Sequence, residues 1–397
     1  MTALALDTEP ACPGSPTTPP AAPGGTAVLR AERRPFADIP ATTWDALAAR
    51  SPWATPFSAW AFHRAWWDAY GTTTHEETLV LVPAESPPGA QPVAIIPLMH
   101  RHEREPSDWQ THTRLRGDPH LAATPVPPSA KAVFFGASYH ADYATLLAAP
   151  GDLPVVAAAL AAYLSGPDCG DWDVVDLRRL RCGDPAADAL AEAFGAREMA
   201  EGWTLNVERE DVCPVATLPV GGTIDDFLAT LGKKERHEIR RKVRRAEAVG
   251  EIRLDDAPEP LAELDAFIDL HQRRWGADGL FPATLGGDQS RVMFRRLFEL
   301  FGAAGPLRLT FLSVGGRRIA AGVHFQTPDG ILYYNAGVDP DARDLSPGVV
   351  MVHAYVARAL EAGLPRMDFL RGDESYKYEW GSVDEPIQRL LVRRRVG

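Results

Sequence analysis

Short runs of hydrophobic residues follow one another closely in the second half of the chain and predict the strands of a β-sheet. Gly315-Gly316 separates the first two runs and predicts a tight hairpin. Longer stretches, with hydrophobic residues every three or four positions, predict helices. The predicted strands are 307–314, 317–325, 331–337, 367–370 and 388–394. The predicted helices are 224–231, 233–249, 261–275, 291–301 and 347–362.

The first half of the chain has the same mixture of elements in a less regular pattern. Hairpin strands that are followed by a helix and a further strand are typical of a mixed sheet covered by helices. We therefore predict an α/β fold with two lobes, each a mixed, mostly antiparallel sheet flanked by helices. Residues 28–205 would form the first lobe and residues 206–397 the second, catalytic lobe. Residues 1–27 are rich in Pro, Ala, Gly and Thr, and they predict a disordered tail.

The composition and charge of the chain argue against several classes of function. The chain of 397 residues carries a net charge of −12, which argues against a protein that coats nucleic acid or an anionic membrane. It contains no apolar run long enough to span a membrane and no signal-peptide pattern, so we expect a cytoplasmic protein. His100 and His102 could share one face of a strand, but no third ligand follows at an ordered spacing, so no metal ion is expected.

A polar loop between a predicted strand and a predicted helix is the strongest local motif. The strand ends at Gly337, Arg343 lies in the loop, and Ser346 and Pro347 are residues that favour the start of a helix, with Gly348 next. Free backbone N–H groups at such a helix end bind phosphate well. The motif is equally that of an ordinary capped helix.

Residues 372–381 form a second motif, just past a short predicted strand. It contains two carboxylates, Asp373 and Glu374, with Lys377 and the aromatic residues Tyr376 and Trp380. Sheets of α/β proteins tend to place ligands at the carboxyl ends of their strands. This segment is either part of a site or a solvated polar loop.

A strongly basic predicted helix is the third motif. Residues 233–247 carry eight Lys or Arg, including Arg240 and Arg241, against three Glu. Such a charge excess in an acidic chain indicates either a patch for a phosphate-rich ligand, such as CoA or tRNA, or a solvated helix face.

His324 is the last candidate, in a predicted strand with small neighbours that would leave room for a ligand. A histidine there could accept a proton from an amine, although a packed core histidine is the commoner case. The chain has no Walker A loop, no G-x-G-x-x-G fingerprint and no nucleophile elbow, which argues against nucleotide hydrolysis, nicotinamide chemistry and serine hydrolysis.

In order along the chain, these features resemble the CelD/BcsL-type acetyltransferases, a branch of the GNAT superfamily related to the FemABX enzymes. The resemblance covers roughly residues 213–395. Its pieces are Lys233-Lys234-x-Arg236, Arg240-Arg241, His271-x-x-Arg274-Trp275, Ile319-Ala320-Ala321, Tyr333-Tyr334-x-Ala336-Gly337-x-Asp339-Pro340, Ser346-Pro347-Gly348 and Gly372-x-Glu374-x-Tyr376-Lys377-x-x-Trp380.

The resemblance implies two GNAT-like lobes and transfer of an acyl group to a small-molecule amine. The donor would be acetyl-CoA or another acyl-CoA, bound by the cofactor candidates Arg343, Ser346, Gly348, Gly337, Arg240 and Arg241. Lys377 resembles the active-site lysine of FemABX enzymes and would stabilise the oxyanion, with Asp373, Glu374 or His324 as the base. The substrate-binding candidates are Trp275, Tyr334, Tyr376 and Trp380.

The same resemblance leaves other functions open. FemABX enzymes transfer amino acids from aminoacyl-tRNA to peptidoglycan precursors, so tRNA is the donor under that alternative. A third hypothesis is a non-catalytic scaffold in polysaccharide assembly. The acceptor expected by analogy is an amino sugar or a cell-envelope precursor.

Overall fold

The computed structural model describes residues 28–101, 124, 126, 127 and 129–394. The predicted tail, residues 1–27, and His102 lie outside them. In the described part of the chain, no helix is long and apolar enough to cross a membrane. The strands are β1 (Leu29–Arg33), β2 (His75–Glu76), β3 (Leu79–Pro83), β4 (Ala94–Ile96), β5 (Leu98–Arg101), β6 (Ala132–Phe135), β7 (Leu147–Ala148), β8 (Val174–Arg181), β9 (Thr204–Thr217), β10 (Ile252–Asp256), β11 (Leu307–Val314), β12 (Arg317–Thr327), β13 (Gly330–Val338), β14 (Arg366–Asp368) and β15 (Val383–Arg393).

Helices cover both faces of these strands. They are α1 (Ala41–Ala48), α2 (Trp60–Tyr70), α3 (Leu153–Ser165), α4 (Pro185–Glu201), α5 (Ile224–Thr230), α6 (Lys233–Glu247), α7 (Pro260–Trp275), α8 (Leu285–Phe301), α9 (Pro347–Glu361) and the short α10 (Ser375–Tyr378). The mixed, mostly antiparallel α/β class predicted from the sequence is confirmed.

Each lobe contains one parallel strand pair spanned by a helix. In the first lobe β6 and β8 are parallel with α3 between them in the chain, and in the second lobe β13 and β14 are parallel with α9 between them. The remaining ladders of the described strands are antiparallel, and the hairpin expected at Gly315-Gly316 joins β11 to β12. The two lobes therefore repeat one βαβ unit, although the sequence shows no internal repeat.

One sheet runs through both lobes. Its order is β10-β11-β12-β13-β14-β9-β15-β8-β6-β5-β2, and a second, four-stranded sheet contains β1, β3, β4 and β7. At the centre a strand of the second lobe crosses to the first: β9, which begins at the predicted division, pairs with β14, and β15 at the end of the second lobe pairs with β8 of the first. β9 and β15 pair with each other along almost their whole length. The predicted division at residue 205 falls inside β9, and it remains a prediction.

A buried ion pair fastens β15 to β8. The Arg389 guanidinium donates to both carboxylate oxygens of Asp176 at 2.6 and 2.8 Å, and both side chains are almost fully buried. Burial opposes ionisation of Asp176, but Arg178 and Arg389 outweigh it and lower the pKa of the carboxyl group. Removal of one partner would leave the other charged and buried.

We expect Arg389→Met to lower the free energy of unfolding by about 3 kcal/mol, the lower end of the usual cost of breaking a buried pair from one side, because Arg178 still faces Asp176 at 2.9 Å. The control is Arg253→Met on the edge strand β10, where the Arg253–Asp255 pair is exposed and the expected cost is below about 1 kcal/mol. Urea unfolding measures both. Equal costs for the two variants would show that the central pair adds no more than a surface pair.

Candidate functional site

The parallel strands β13 and β14 separate after a short contact. They pair only at Ile331 with Met367 and at Leu332 with Asp368, and β13 then continues to Val338 without a β14 partner. The separation opens the sheet at the carboxyl ends of both strands, beside the start of α9. This is the position where α/β sheets commonly hold ligands.

Aromatic rings line the opening in a continuous series. Tyr333 contacts Tyr355 of α9 at 5.2 Å between ring centroids and Phe369 at 6.4 Å, and Phe369 contacts Tyr376 at 6.2 Å. Trp380, which is 1% exposed, packs in the same hydrophobic cluster. Tyr376, predicted to wall a substrate site, therefore lies at the end of this ring series, whereas Trp380, predicted for the same role, is a buried core residue.

The Lys377 side chain is buried directly beneath the loop that follows β14. Its Nζ donates to the carbonyl oxygens of Leu370, Arg371 and Gly372 at 3.0, 2.9 and 3.0 Å, and it lies 2.9 Å from Oε2 of Glu374. All three ammonium protons thus have acceptors in this structure. Lys377 would have to break one of these hydrogen bonds before its ammonium group could donate to an acyl oxygen.

The lysine holds a strained stretch of backbone. Leu370 has φ of 56° and Gly372 has φ of 111°, conformations that favour glycine. Three carbonyls that converge on one ammonium group compensate for the strain at Leu370. Asp373 is half-buried in the same loop, and Glu374 is exposed. The structure therefore brings Lys377, Asp373, Glu374 and Tyr376 into one turn.

His324 lies apart from that turn. The ring series places three aromatic residues, Tyr355, Tyr333 and Phe369, between His324 and Tyr376. The Nδ1 of His324 lies 3.1 Å from the Tyr355 hydroxyl, and its Nε2 has no hydrogen-bond partner among the described residues. Burial, with a smaller effect from Arg358 and Arg308, lowers the pKa of His324 to about 3, so the imidazole stays neutral but is a weak base.

The start of α9 has the predicted proline but a different cap. Pro347 opens the helix, while Ser346 adopts a left-handed conformation with φ of 53° and its side chain makes no capping bond. Arg343 lies exposed in the preceding turn. A side chain at Gly348 would meet open space, so the helix end is accessible.

Gly337 has a packing function in this structure. A Cβ atom there would lie 2.4 Å from the backbone nitrogen of His271, so the absent side chain lets α7 approach β13. Trp275 ends the same helix and is 43% exposed, with the Arg274 guanidinium stacked on it at 4.6 Å. Gly337 and Trp275 therefore lie on the α7 side of the second lobe.

The basic helix α6 lies next to the start of α9. Arg245 donates to the carbonyl of Asp344, one turn before Pro347. Arg240 pairs with Asp225 and Arg241 with Glu238, both at 2.7 Å and both exposed. The structure thus brings two separate phosphate-binding candidates of the sequence, the helix start and the basic helix, to one surface.

Lys242 and Arg244, close to Arg245 in the same helix, add to this surface, and Lys233 and Lys234 lie at its far end. None of the four has an ion-pair partner in the described part of the chain. We call the exposed cations of α6 together with Arg343 the basic surface. It presents a positive face beside the N-terminal end of α9, where the helix dipole also favours an anion.

Tyr334 points away from the ring series, as strand alternation requires. Its hydroxyl donates to the carbonyl of His140 in the first lobe at 2.9 Å, and its ring stacks on Phe294. Tyr334 therefore belongs to the contact between the lobes rather than to the opening between β13 and β14.

The contact between the lobes contains polar residues that the sequence did not reveal. Arg371 donates to Asp142 at 3.1 Å, and Tyr143 donates to Asp368 at 2.8 Å. His140 has φ of 74°, another strained position. Buried charges and strained backbone from two lobes are typical of functional sites. The sequence does contain a polar segment after the run Val133–Phe135, but nothing in the sequence indicates that this segment contacts Arg371.

His324 yields a test of the buried environment. The folded protein keeps this imidazole neutral, whereas the unfolded chain binds a proton near pH 6.5, so stability is full above pH 6.5 and falls as the pH drops toward 3. At pH 5 the expected loss is about 2 kcal/mol for this group. His324→Gln should therefore reduce the difference between urea midpoints at pH 7.5 and pH 5.

The matched control is His237→Gln, which replaces an exposed histidine of α6 and should leave that difference unchanged. The buried residues His63, His140 and His271 also have lowered pKa values, so the variant retains part of the parent's pH dependence. An unaltered pH dependence in His324→Gln would contradict the desolvated setting described for this residue.

Comparison with known proteins gives the class of the second lobe. A family model described as the acetyltransferase (GNAT) domain matches residues 233–378. These residues run from the start of α6 to the end of α10 and include the basic helix, the separated strands and Lys377. No curated protein matches the chain in sequence.

Solved structures share the fold. FemX superposes with a TM-score of 0.54 at 10% identity, over 88% of this chain and 96% of FemX. A conserved protein of unknown function from Bacteroides thetaiotaomicron gives 0.53 at 12% identity, over 90% of this chain and 98% of that one. At these identities the likeness concerns the fold alone. The match of residues 233–378 to a GNAT acetyltransferase domain indicates that the chain is an N-acyltransferase, and the superposition on FemX adds only the likeness of the fold.

Proposed function

We propose that the chain transfers an acyl group from acyl-CoA to an amine at the opening between β13 and β14. The proposal rests on one observation: this opening lies beside the start of α9 and the basic surface. The phosphates of CoA would lie at Arg343 and the first N–H groups of α9, and the acyl end would enter the opening. The chemistry would then belong to the second lobe, residues 206–397.

The reaction requires a donor for the oxyanion and a base for the amine. When the amine attacks the thioester carbonyl, negative charge develops on the carbonyl oxygen while the nucleophile loses a proton. Lys377 is the proposed donor, through exchange of one of its backbone carbonyl acceptors for the acyl oxygen. Because three aromatic residues separate His324 from the Lys377 turn, Asp373 and Glu374 are the better candidates for proton removal.

The acceptor would approach from the first lobe. Arg371 joins the Lys377 loop to Asp142 and so connects the opening to the contact between the lobes. An amino sugar or a cell-envelope precursor, as the resemblance implies, could span both regions, with Tyr334 on the first-lobe side. This part of the proposal rests on analogy and on the position of the polar residues.

A FemX-like use of aminoacyl-tRNA is the second candidate. The basic surface and the FemX-like fold favour it, whereas the net charge of −12 opposes it. Calorimetry with acetyl-CoA, longer acyl-CoAs and aminoacyl-tRNA separates the two. Reversal of Arg240, Arg241 and Arg244 to Glu should flatten the salt dependence of whichever donor binds. A chain that binds none of these donors and turns over none would be a scaffold.

We expect Arg343→Ala to weaken acetyl-CoA binding about 10-fold, because a charge-assisted bond to phosphate is lost. The exposed side chain makes no ion pair in the described part of the chain, so the melting temperature should stay at the parent's value. Arg253→Ala, an exposed arginine on the distant edge strand, is the control and should bind acetyl-CoA normally. Equal acetyl-CoA affinities for Arg343→Ala and the parent would contradict the proposed position of the CoA phosphates.

We expect Lys377→Ala to lower kcat by about 100-fold or more with donor affinity retained, the result of losing an interaction made in the transition state. It should also lower the melting temperature, since three carbonyls lose their donor. Lys377→Arg keeps the charge and serves as the stability-matched variant. Tyr378→Phe, in the same turn, should keep the parental kcat.

The two roles of Lys377 predict different results. If Lys377→Ala melts earlier but retains near-parental kcat, the lysine only fixes the loop after β14. If Lys377→Arg melts like the parent but loses turnover, the ammonium group itself takes part in the reaction. Asp373→Asn and Glu374→Gln, measured in the same assay, then identify the base.

A further inference from the structure

Three potential metal ligands meet inside the first lobe, remote in sequence from the proposed acyl-transfer site. They are Glu77, in the segment between β2 and β3, His100 on β5, and Cys169, in the turn after α3. One ligand atom from each lies within 4.8 Å of the other two, and the side chains are only 3–5% exposed. Separate elements of the fold thus direct a carboxylate, an imidazole and a thiol to one buried point.

The spacing of these atoms fits a shared ion better than direct hydrogen bonding. His100 Nε2 and Glu77 Oε2 are 3.7 Å apart, too far for a hydrogen bond. Two ligand atoms bound tetrahedrally to zinc at about 2.0–2.3 Å lie roughly 3.3–3.8 Å from each other. A contraction on the order of 1 Å would bring all three atoms to bonding distance.

A neighbouring hydroxyl already orients the carboxylate. Tyr163 donates to Oε1 of Glu77 at 2.5 Å, which leaves Oε2 directed toward His100. Ligating carboxylates commonly have such a supporting hydrogen bond. The competing partner of Oε2 is Arg33 at 3.0 Å, and the Arg33 side chain is 55% exposed, so it can move into solvent.

An open cleft lies beside the turn that carries the cysteine. Pro167 and Gly170, on either side of Cys169 in the chain, line this cleft of about 510 Å³ together with Asp171, Glu201 and Arg394. The buried thiol would lose its proton to solvent when it binds the ion.

We propose that Glu77, His100 and Cys169 bind a borderline divalent metal ion, with zinc as the best match. One thiolate, one imidazole and one carboxylate are the donor types that zinc takes in proteins, and a water molecule would complete the tetrahedron. The ion would fasten the turn after α3 to β5 and to the start of β3. The proposal does not depend on the proposed acyl transfer.

The test uses the full chain, stripped with a chelator and then titrated with Zn²⁺ or Co²⁺ alone. We expect one equivalent of Zn²⁺ to bind and to raise the melting temperature. Co²⁺ should produce a thiolate-to-metal charge-transfer band in the near ultraviolet. This spectrum needs no variant, so it remains decisive even if a substitution prevents folding.

Variants then assign the ligands. Cys169→Ser and His100→Gln should each weaken Zn²⁺ binding at least 100-fold, and Tyr163→Phe about 10-fold. The matched controls are Cys213→Ser, which changes another free and buried cysteine, and His63→Gln, which changes another buried histidine. A parent that binds Zn²⁺ no more tightly than Cys169→Ser, or a Co²⁺ complex without the thiolate band, would leave only the Glu77–Arg33 ion pair and overturn the proposal.

Discussion

The pairing of β9 with β15 is the interaction on which the rest of the structure depends. These two strands occupy the centre of the long sheet, and each connects one lobe to the other. The Asp176–Arg389 pair anchors β15 to β8 inside the protein, and β9 in turn positions β14. Because β14 is held by β9 over its whole length but by β13 at only two residues, the opening between β13 and β14 follows directly from the central pairing.

The loop after β14 shapes the candidate site. Its backbone bends sharply at Leu370 and Gly372, and Lys377 offsets the strain by binding the carbonyls of the bend. The same bend directs Arg371 toward Asp142 of the first lobe. A single buried ammonium group therefore determines both the shape of the opening and its connection to the neighbouring lobe.

The local elements of the second lobe could be predicted from the sequence, because hydrophobic periodicity and turn residues act over short distances. β11, the Gly315-Gly316 hairpin and the start of α9 at Pro347 match the prediction. The pairing of β15 with β8 could not be predicted, since the two strands are far apart in the chain. The acceptors of Lys377 and the Arg371–Asp142 contact depend on tertiary packing in the same way, so the sequence identified the lysine but not its partners.

The pairing of β15 with β8 has a consequence for modularity. A cut near residue 205 would leave both central strands, β9 and β15, on the second fragment, and it would expose the edges by which β8 and β15 pair in the intact chain. Unpaired edges of this kind promote aggregation. Recombination between related proteins would therefore succeed only when β15 and β8 come from the same parent or from parents that both retain the buried arginine and aspartate. For recombination and engineering, the relevant boundary is the contact between β8 and β15 in three dimensions, and no single position along the chain corresponds to it.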